Sequence, residues 1–220
     1  RQLHLKPHSF PTRRSSDLIG NTHIHFYLKG RMWKEPYKKI SPINPEYKVV
    51  YISVNKAGEE KLLSLCKDAI NLSKFMTLDT MYKGLGIDRI AACNAVDDGV
   101  IVDAGSAITV DVMQSSIHLG GYILPGIAAF EDAYKRISPA LNFQINPSVS
   151  LEAFPQCTRD AISYGTVKSI LVMIKNSSKS KQLYFTGGDG KFLSKFFEDS
   201  IYDSSLVFQG MQKTLNKIFG

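Results

Sequence analysis

An aspartate two residues ahead of a glycine, at the end of an apolar run and directly before a hairpin, is a physical device for holding phosphate. Residues 103–111 read Asp103-Ala104-Gly105-Ser106-Ala107-Ile108-Thr109-Val110-Asp111 and follow the apolar run Val100-Ile101-Val102. Gly105 lets backbone N–H groups approach an anion, the Ser106 hydroxyl adds a donor, and the Asp103 carboxylate can recruit a neutralising cation. The same residues also suit a plain hairpin turn. A second glycine pair, Gly187-Gly188, follows Leu183-Tyr184-Phe185 and precedes a helical pattern. A nucleoside can lie against bare backbone there, or the chain can simply turn. His23 and His25 share one face of a strand, but no cysteine or acid stands at ligand spacing, which argues against zinc.

The elements that must position these residues are legible along most of the chain. His23 to Leu28, Gly30 and Met32-Trp33 read as a strand, a tight turn and its partner. Prolines at 36, 42 and 45 make the next stretch a loop, followed by a buried strand at 49–54 and a helix at 59–66. Residues 86–97 form a helix that Gly99 stops. Strands at 100–102, 108–112 and 117–124 follow, then helices at 126–138, 157–175, 189–198 and 210–219, with strands at 182–186 and 206–208. Laid over each other by Gly20 and Gly105, the segments 18–26 and 103–111 both read as a glycine turn opening a hairpin, which implies an internal duplication. The fold class is α/β, with boundaries at 1–17 for an arm, 18–99 for one half and 100–220 for the other.

Composition narrows the classes. With 220 residues, 44% hydrophobic and 21% charged, the chain is globular, and its longest apolar run, residues 170–174, is far too short for a membrane span. Cys66, Cys93 and Cys157 are scattered and odd in number, which favours a reducing cytoplasm over a disulfide framework. Net charge is +7, but Arg1, Lys6, Arg13 and Arg14 outweigh Asp17 in the first seventeen residues, so the body is only mildly basic and offers no stripe for nucleic acid.

Taken together, the motifs resemble type III pantothenate kinases of the acetate and sugar kinase/Hsp70/actin superfamily, and the compact loops are similar to the epsilon-proteobacterial branch. The residues that carry the resemblance are Gly20-Asn21-Thr22, Gly86-Ile87-Asp88-Arg89, Asp103-Ala104-Gly105-Ser106, Gly120 to Gly126 and Thr186-Gly187-Gly188-Asp189. The resemblance implies a duplicated ribonuclease H-like, actin-like ATPase fold. It also implies transfer of the ATP γ-phosphoryl group to pantothenate in a homodimer that uses Mg²⁺ and a monovalent cation, K⁺ or NH₄⁺. Asp88 is then the base that takes the hydroxyl proton, and Arg89 a cationic fork for the pantothenate carboxylate; alternatively Asp88 caps a helix and Arg89 makes a surface pair. Gly86, Ile87, Tyr82 and Thr158 are further pantothenate contacts. Tyr82 could equally be an exposed loop aromatic, and Thr158 a capping hydroxyl. Gly20, Asn21, Thr22, Gly105, Ser106, Gly187 and Gly188 hold ATP, and Asp103 the monovalent cation.

One departure stands out. The family's first phosphate motif begins with Asp two residues before the glycine, where this chain has Leu18; Asp17 lies one residue early and would face the other way on a strand. Residues 12–16 also lack the apolar run of a buried strand. Residues 1–18 therefore read as a foreign replacement of the native start, poorly packed over about its first fifteen residues. A catalytically impaired homologue that binds nucleotide or regulates a partner is the alternative function.

Overall fold

The computed structural model describes residues 14–20, 22–43 and 48–219. In chain order the first elements are β1 (Arg14–Ile19), β2 (His23–Leu28), β3 (Arg31–Pro36), β4 (Lys48–Ser53), α1 (Lys56–Leu65) and β5 (Ile70–Asn71). Next come β6 (Asp79–Thr80), α2 (Ile87–Ala95), β7 (Gly99–Ala104), β8 (Ala107–Gln114), β9 (Ile117–Pro125), α3 (Ile127–Ile137) and α4 (Thr158–Ser178). The last are β10 (Leu183–Thr186), α5 (Gly190–Ser194), β11 (Ile201–Tyr202) and α6 (Leu206–Phe219). They form two units: one holds the described residues up to Leu78, Lys83–Ala95 and the segment from Ser205; the other holds Asp79–Tyr82 and Val96–Ser204.

The expected duplication is present in the strand order. The first sheet runs β3-β2-β1-β4-β5, and the second runs β6-β9-β8-β7-β10-β11, the same order strand for strand once the edge strand β6 is set aside. In each unit an antiparallel hairpin leads, and its first strand pairs in parallel with the strand that precedes a helix, β4 or β10. The turn bonds correspond as well: Gly20 N–H donates to the His23 carbonyl and Gly105 N–H to the Ala107 carbonyl, each at 2.9 Å.

Each unit closes over its own core. In the first, Ile24 and Phe26 alternate inward from β2 and meet Ile19, Val49, Tyr51 and Leu62. In the second, Val100, Val102, Ile108 and Val110 pack against Val167, Ile170 and Ile174, which recur at helical spacing along α4.

Three expectations are corrected. The arm assigned to residues 1–17 ends earlier, because residues 14–17 enter β1 at the centre of the first sheet, with Ser16 and Asp17 buried. Backbone ladders to β2 on one side and β4 on the other hold that strand whatever its side chains are; residues 1–13 lie outside the described residues. The run 206–208 is the first turn of α6 rather than a strand, since a short buried apolar run carries no period of its own, and the short strand is Ile201–Tyr202. The helix read at 189–198 is confined to α5.

The half read as 100–220 also loses its end, because α6 packs on α2 and β1. Gly210 lies where any Cβ would strike the Ala91 carbonyl, the Phe208 ring stacks on Tyr27 at 5.3 Å, and Lys213 Nζ donates to the Ala95 carbonyl at 3.1 Å. No local sequence signal pairs α6 with strands almost two hundred residues earlier.

Candidate active site

In the second unit the glycine motifs that lie far apart in sequence become one cradle. Asp103 sits half-buried near the end of β7, between the buried Val102 and Ala104, and is the register partner of Thr186 on β10. Gly187 follows with φ +82, and a Cβ there would run into the Ala104 carbonyl and the Asp103 carboxylate. Glycine is therefore required twice over, for the backbone angle and for the close approach. Asp189 N–H donates to the Ala104 carbonyl at 2.9 Å and starts α5. From the other side Gly126 N–H donates to the Ser106 carbonyl at 3.2 Å, and a Cβ on Gly126 would meet the backbone of Gly105 and Ser106. Ser106 and Gly188 are exposed at the lip. The arrangement offers a small hydroxyl, bare backbone and a carboxylate at one place, as phosphate binding requires. Burial, and then the charge of Glu131, push the Asp189 carboxyl above its usual range.

Thr158, also in the second unit, is the exposed first residue of α4. The N-cap is Cys157, whose carbonyl accepts from Ala161 N–H at 2.9 Å. The start of the helix is clasped instead by Asp160, which accepts from Asn146 Nδ2 at 2.9 Å and from Cys157 Sγ at 3.4 Å. Those two bonds hold its carboxyl below the usual range. The Asn146–Asp160 clasp has no sequence signature beyond a polar residue in a loop, and the sequence reading misses it. Tyr82 is 37% exposed just beyond β6, and its N–H donates to Thr80 Oγ1 at 3.0 Å.

The first unit carries the remaining candidates. Ile90 N–H donates to the Gly86 carbonyl at 3.0 Å, so α2 starts from Gly86. Asp88 lies in its first turn, where one carboxylate oxygen accepts from Arg89 N–H at 2.9 Å. A Cβ on Gly86 would come within 2.6 Å of that oxygen, so the glycine gives the carboxyl room to fold back over the helix start. Ile87 is partly buried beside it, and Arg89 is only 6% exposed, a buried cation rather than a surface one. Thr22 is exposed, with Oγ1 2.9 Å from His23 Nδ1, and Asn21 lies outside the described residues. The rings of His23 and His25 meet edge to face at 6.5 Å, and burial followed by the charge of Lys34 lowers the His25 pKa.

β1 answers the question raised by position 18. Leu18, partly exposed, stands where Asp103 stands in the second unit, two residues before the turn glycine. Asp17 is fully buried and occupies the place of Val102: it pairs with Tyr51 on β4 as Val102 pairs with Phe185 on β10. The carboxylate is thus one residue out of step and on the opposite face of the strand.

The profile of the family described as type III pantothenate kinase matches residues 29–180. The chain belongs to that family. A Wolinella succinogenes type III pantothenate kinase is 56% identical over 91% of this chain and 95% of its own length. One from Helicobacter hepaticus is 54% identical over 90% and 97%, and one from Campylobacter jejuni 48% over 90% and 95%. Among solved structures, a Campylobacter jejuni protein described as a Baf family transcriptional activator superposes with TM-score 0.81 at 46% identity, covering 93% of this chain and 98% of that one. The ethanolamine utilization protein EutJ of Carboxydothermus hydrogenoformans, 10% identical with TM-score 0.50 over 92% and 90%, shares the fold alone. With the duplicated strand order, these findings place this member of the type III pantothenate kinase family in the actin-like, ribonuclease H-like fold class.

Proposed function

We propose that this chain transfers the γ-phosphoryl group of ATP to the primary hydroxyl of pantothenate, the first step of coenzyme A synthesis, in the cytoplasm. The observation that carries the reading is the packing of Gly187 onto the Asp103 carboxylate and the Ala104 carbonyl, in a chain of this family. Gly105, Ser106, Gly187 and Gly188 take the phosphates and nucleoside, joined by Gly20, Asn21 and Thr22 of the first motif. Asp88 accepts the proton of the attacking hydroxyl as the new P–O bond forms, held in place by the Arg89 N–H. Arg89 faces the pantothenate carboxylate, and Gly86, Ile87, Tyr82 and Thr158 wall its pocket. A homodimer completes that pocket, as expected of the family.

The residues fit a monovalent cation at Asp103, where a carboxylate oxygen and the Ala104 carbonyl oxygen both lie within 2.5 Å of the point a Gly187 Cβ would occupy. Hard oxygen donors suit K⁺ or NH₄⁺, which would supply positive charge beside the phosphates. They fit Mg²⁺ less well, since β1 has Leu18 where the family's first motif has a carboxylate.

Release of ADP measured with and without pantothenate, with the product identified by mass, tests the proposal; ADP release that pantothenate does not stimulate would overturn it. Leu18 favours a second reading, a nucleotide-binding protein without turnover. ATP binding by calorimetry with no phosphorylated product is the outcome that reading requires.

A further inference from the structure

Beyond the cradle, the second unit buries an acid–imidazole pair. Asp111 on β8 is 1% exposed and His118 on β9 is 3% exposed, and His118 Nε2 lies 2.8 Å from Asp111 Oδ1. On the other side of the ring Nδ1 lies 2.7 Å from Thr80 Oγ1, which in turn accepts from Tyr82 N–H at 3.0 Å. The Tyr82 ring returns over His118, tilted by 52° with centroids 6.0 Å apart.

A bulge brings the pair together. β8 and β9 match Asp111 with Gly121 and Val112 with Gly120, then shift so that Met113 meets His118. Leu119 is the extra residue and is 59% exposed. In an unbulged ladder His118 would oppose Gln114, on the face away from Asp111; the bulge turns it to the face that Asp111 and Met113 share. Thr80 is the register partner of His118, and β6 has only two residues, so few main-chain bonds hold this edge. The side chains anchor it.

The donors and acceptors form one consistent chain. A carboxylate only accepts, so Nε2 carries the proton toward Asp111. Nδ1 and the Thr80 hydroxyl share the second hydrogen bond, and a lone pair of that hydroxyl accepts from Tyr82 N–H. We propose that Asp111, His118 and Thr80 are a positioning relay that fixes the backbone at Tyr82 and thereby sets the affinity for pantothenate. This rests on the reading of Tyr82 as a wall of the pantothenate pocket. The three residues act through Tyr82 and are positioning residues, not catalytic ones.

Thr80→Val keeps the size of the side chain and removes both hydroxyl bonds, whereas Thr80→Ser keeps them. Two measurements on the full chain separate the outcomes: amide exchange at Tyr82, and the dissociation constants of pantothenate and ATP by calorimetry. In Thr80→Val, exchange at Tyr82 should quicken and pantothenate bind about tenfold more weakly, with ATP affinity within about twofold; Thr80→Ser should restore both. Faster exchange with unchanged pantothenate affinity would overturn the relay's functional role while leaving the kinase reading intact. Equal loss of ATP and pantothenate affinity would mark a merely structural role and overturn it too. A parent chain that binds no pantothenate would overturn the functional reading itself, and the relay's role with it.

Discussion

At Asp88 the carboxyl is tied to the Arg89 N–H at 2.9 Å. Asp88→Asn keeps that bond and the size of the side chain but loses the proton acceptor, so turnover should fall about 10²- to 10⁴-fold with ATP affinity nearly intact. Steady-state kinetics with ATP binding measured in parallel check this, and unchanged turnover would remove Asp88 from the mechanism. Tyr51 makes a different prediction. Its hydroxyl donates to Glu59 Oε1 at 2.7 Å, and burial, followed by the Glu59 carboxylate, pushes its pKa from 10.0 up to about 12. The folded state therefore holds the proton longer than the unfolded chain does. The stability this supplies is complete below pH 10 and is lost as pH rises toward 12. Melting temperature followed from pH 8 to about 11 should fall less steeply in Tyr51→Phe than in the parent chain; identical slopes would show that Tyr51 does not titrate in that window.

At the scale of the element, β1 is the anomaly. It puts an acid into the first unit's core and leaves a leucine at the position where the duplicate strand β7 carries Asp103. A buried carboxylate forfeits its hydration even where it is paired, and a well-packed apolar side chain in its place is often more stable by about 1–4 kcal/mol. The pair of changes Asp17→Val and Leu18→Asp copies the Val102-Asp103 order into β1. The double variant should melt several degrees higher, since about 1 kcal/mol is worth about 2–4 °C at this chain length. Its turnover should rise at least about tenfold if the first hairpin takes the proposed part in phosphate binding, because the restored carboxylate stands at the position of Asp103 in the duplicate strand. Thermal melting and the ADP-release assay read the two effects separately. If turnover stays at the parent level, the first hairpin has no part in phosphate binding.

For the whole molecule the expectations concern the assembly and its ions. Light scattering at micromolar concentration should give a mass twice that of the chain; a monomer that still phosphorylates pantothenate would contradict a pocket completed by a second copy. Asp103→Asn should abolish stimulation by K⁺ or NH₄⁺, because a neutral amide supplies no charge to the site. Titration of the parent and the variant with each salt at constant ionic strength decides it, and activity independent of both salts in the parent would remove the cation from Asp103.

What the sequence determined by itself was local and periodic. The hairpin of β2 and β3, the run from β7 to β9, the helices α3 and α4, and the glycine turns at Gly105 and Gly187 each announce themselves through spacing, because each depends on residues a few positions apart. The internal duplication was legible for the same reason, from a glycine turn repeated before two hairpins, while the matching strand order emerged only in the folded sheets. Other features were decided only by the tertiary structure. Arg14 to Asp17 form a strand because β4 offers backbone partners along the whole run and β2 adds partners from Ser16 onward, which no side-chain pattern in that run encodes. Leu206 to Phe208 are helical because α6 is buried against α2 and β1, and an apolar run of that length has no period to read. The seating of Gly187 on Asp103, and the bulge at Leu119 that turns His118 toward Asp111, join residues on different strands. Such contacts arise from the register between strands, a property of the folded sheet that no single segment of the chain contains.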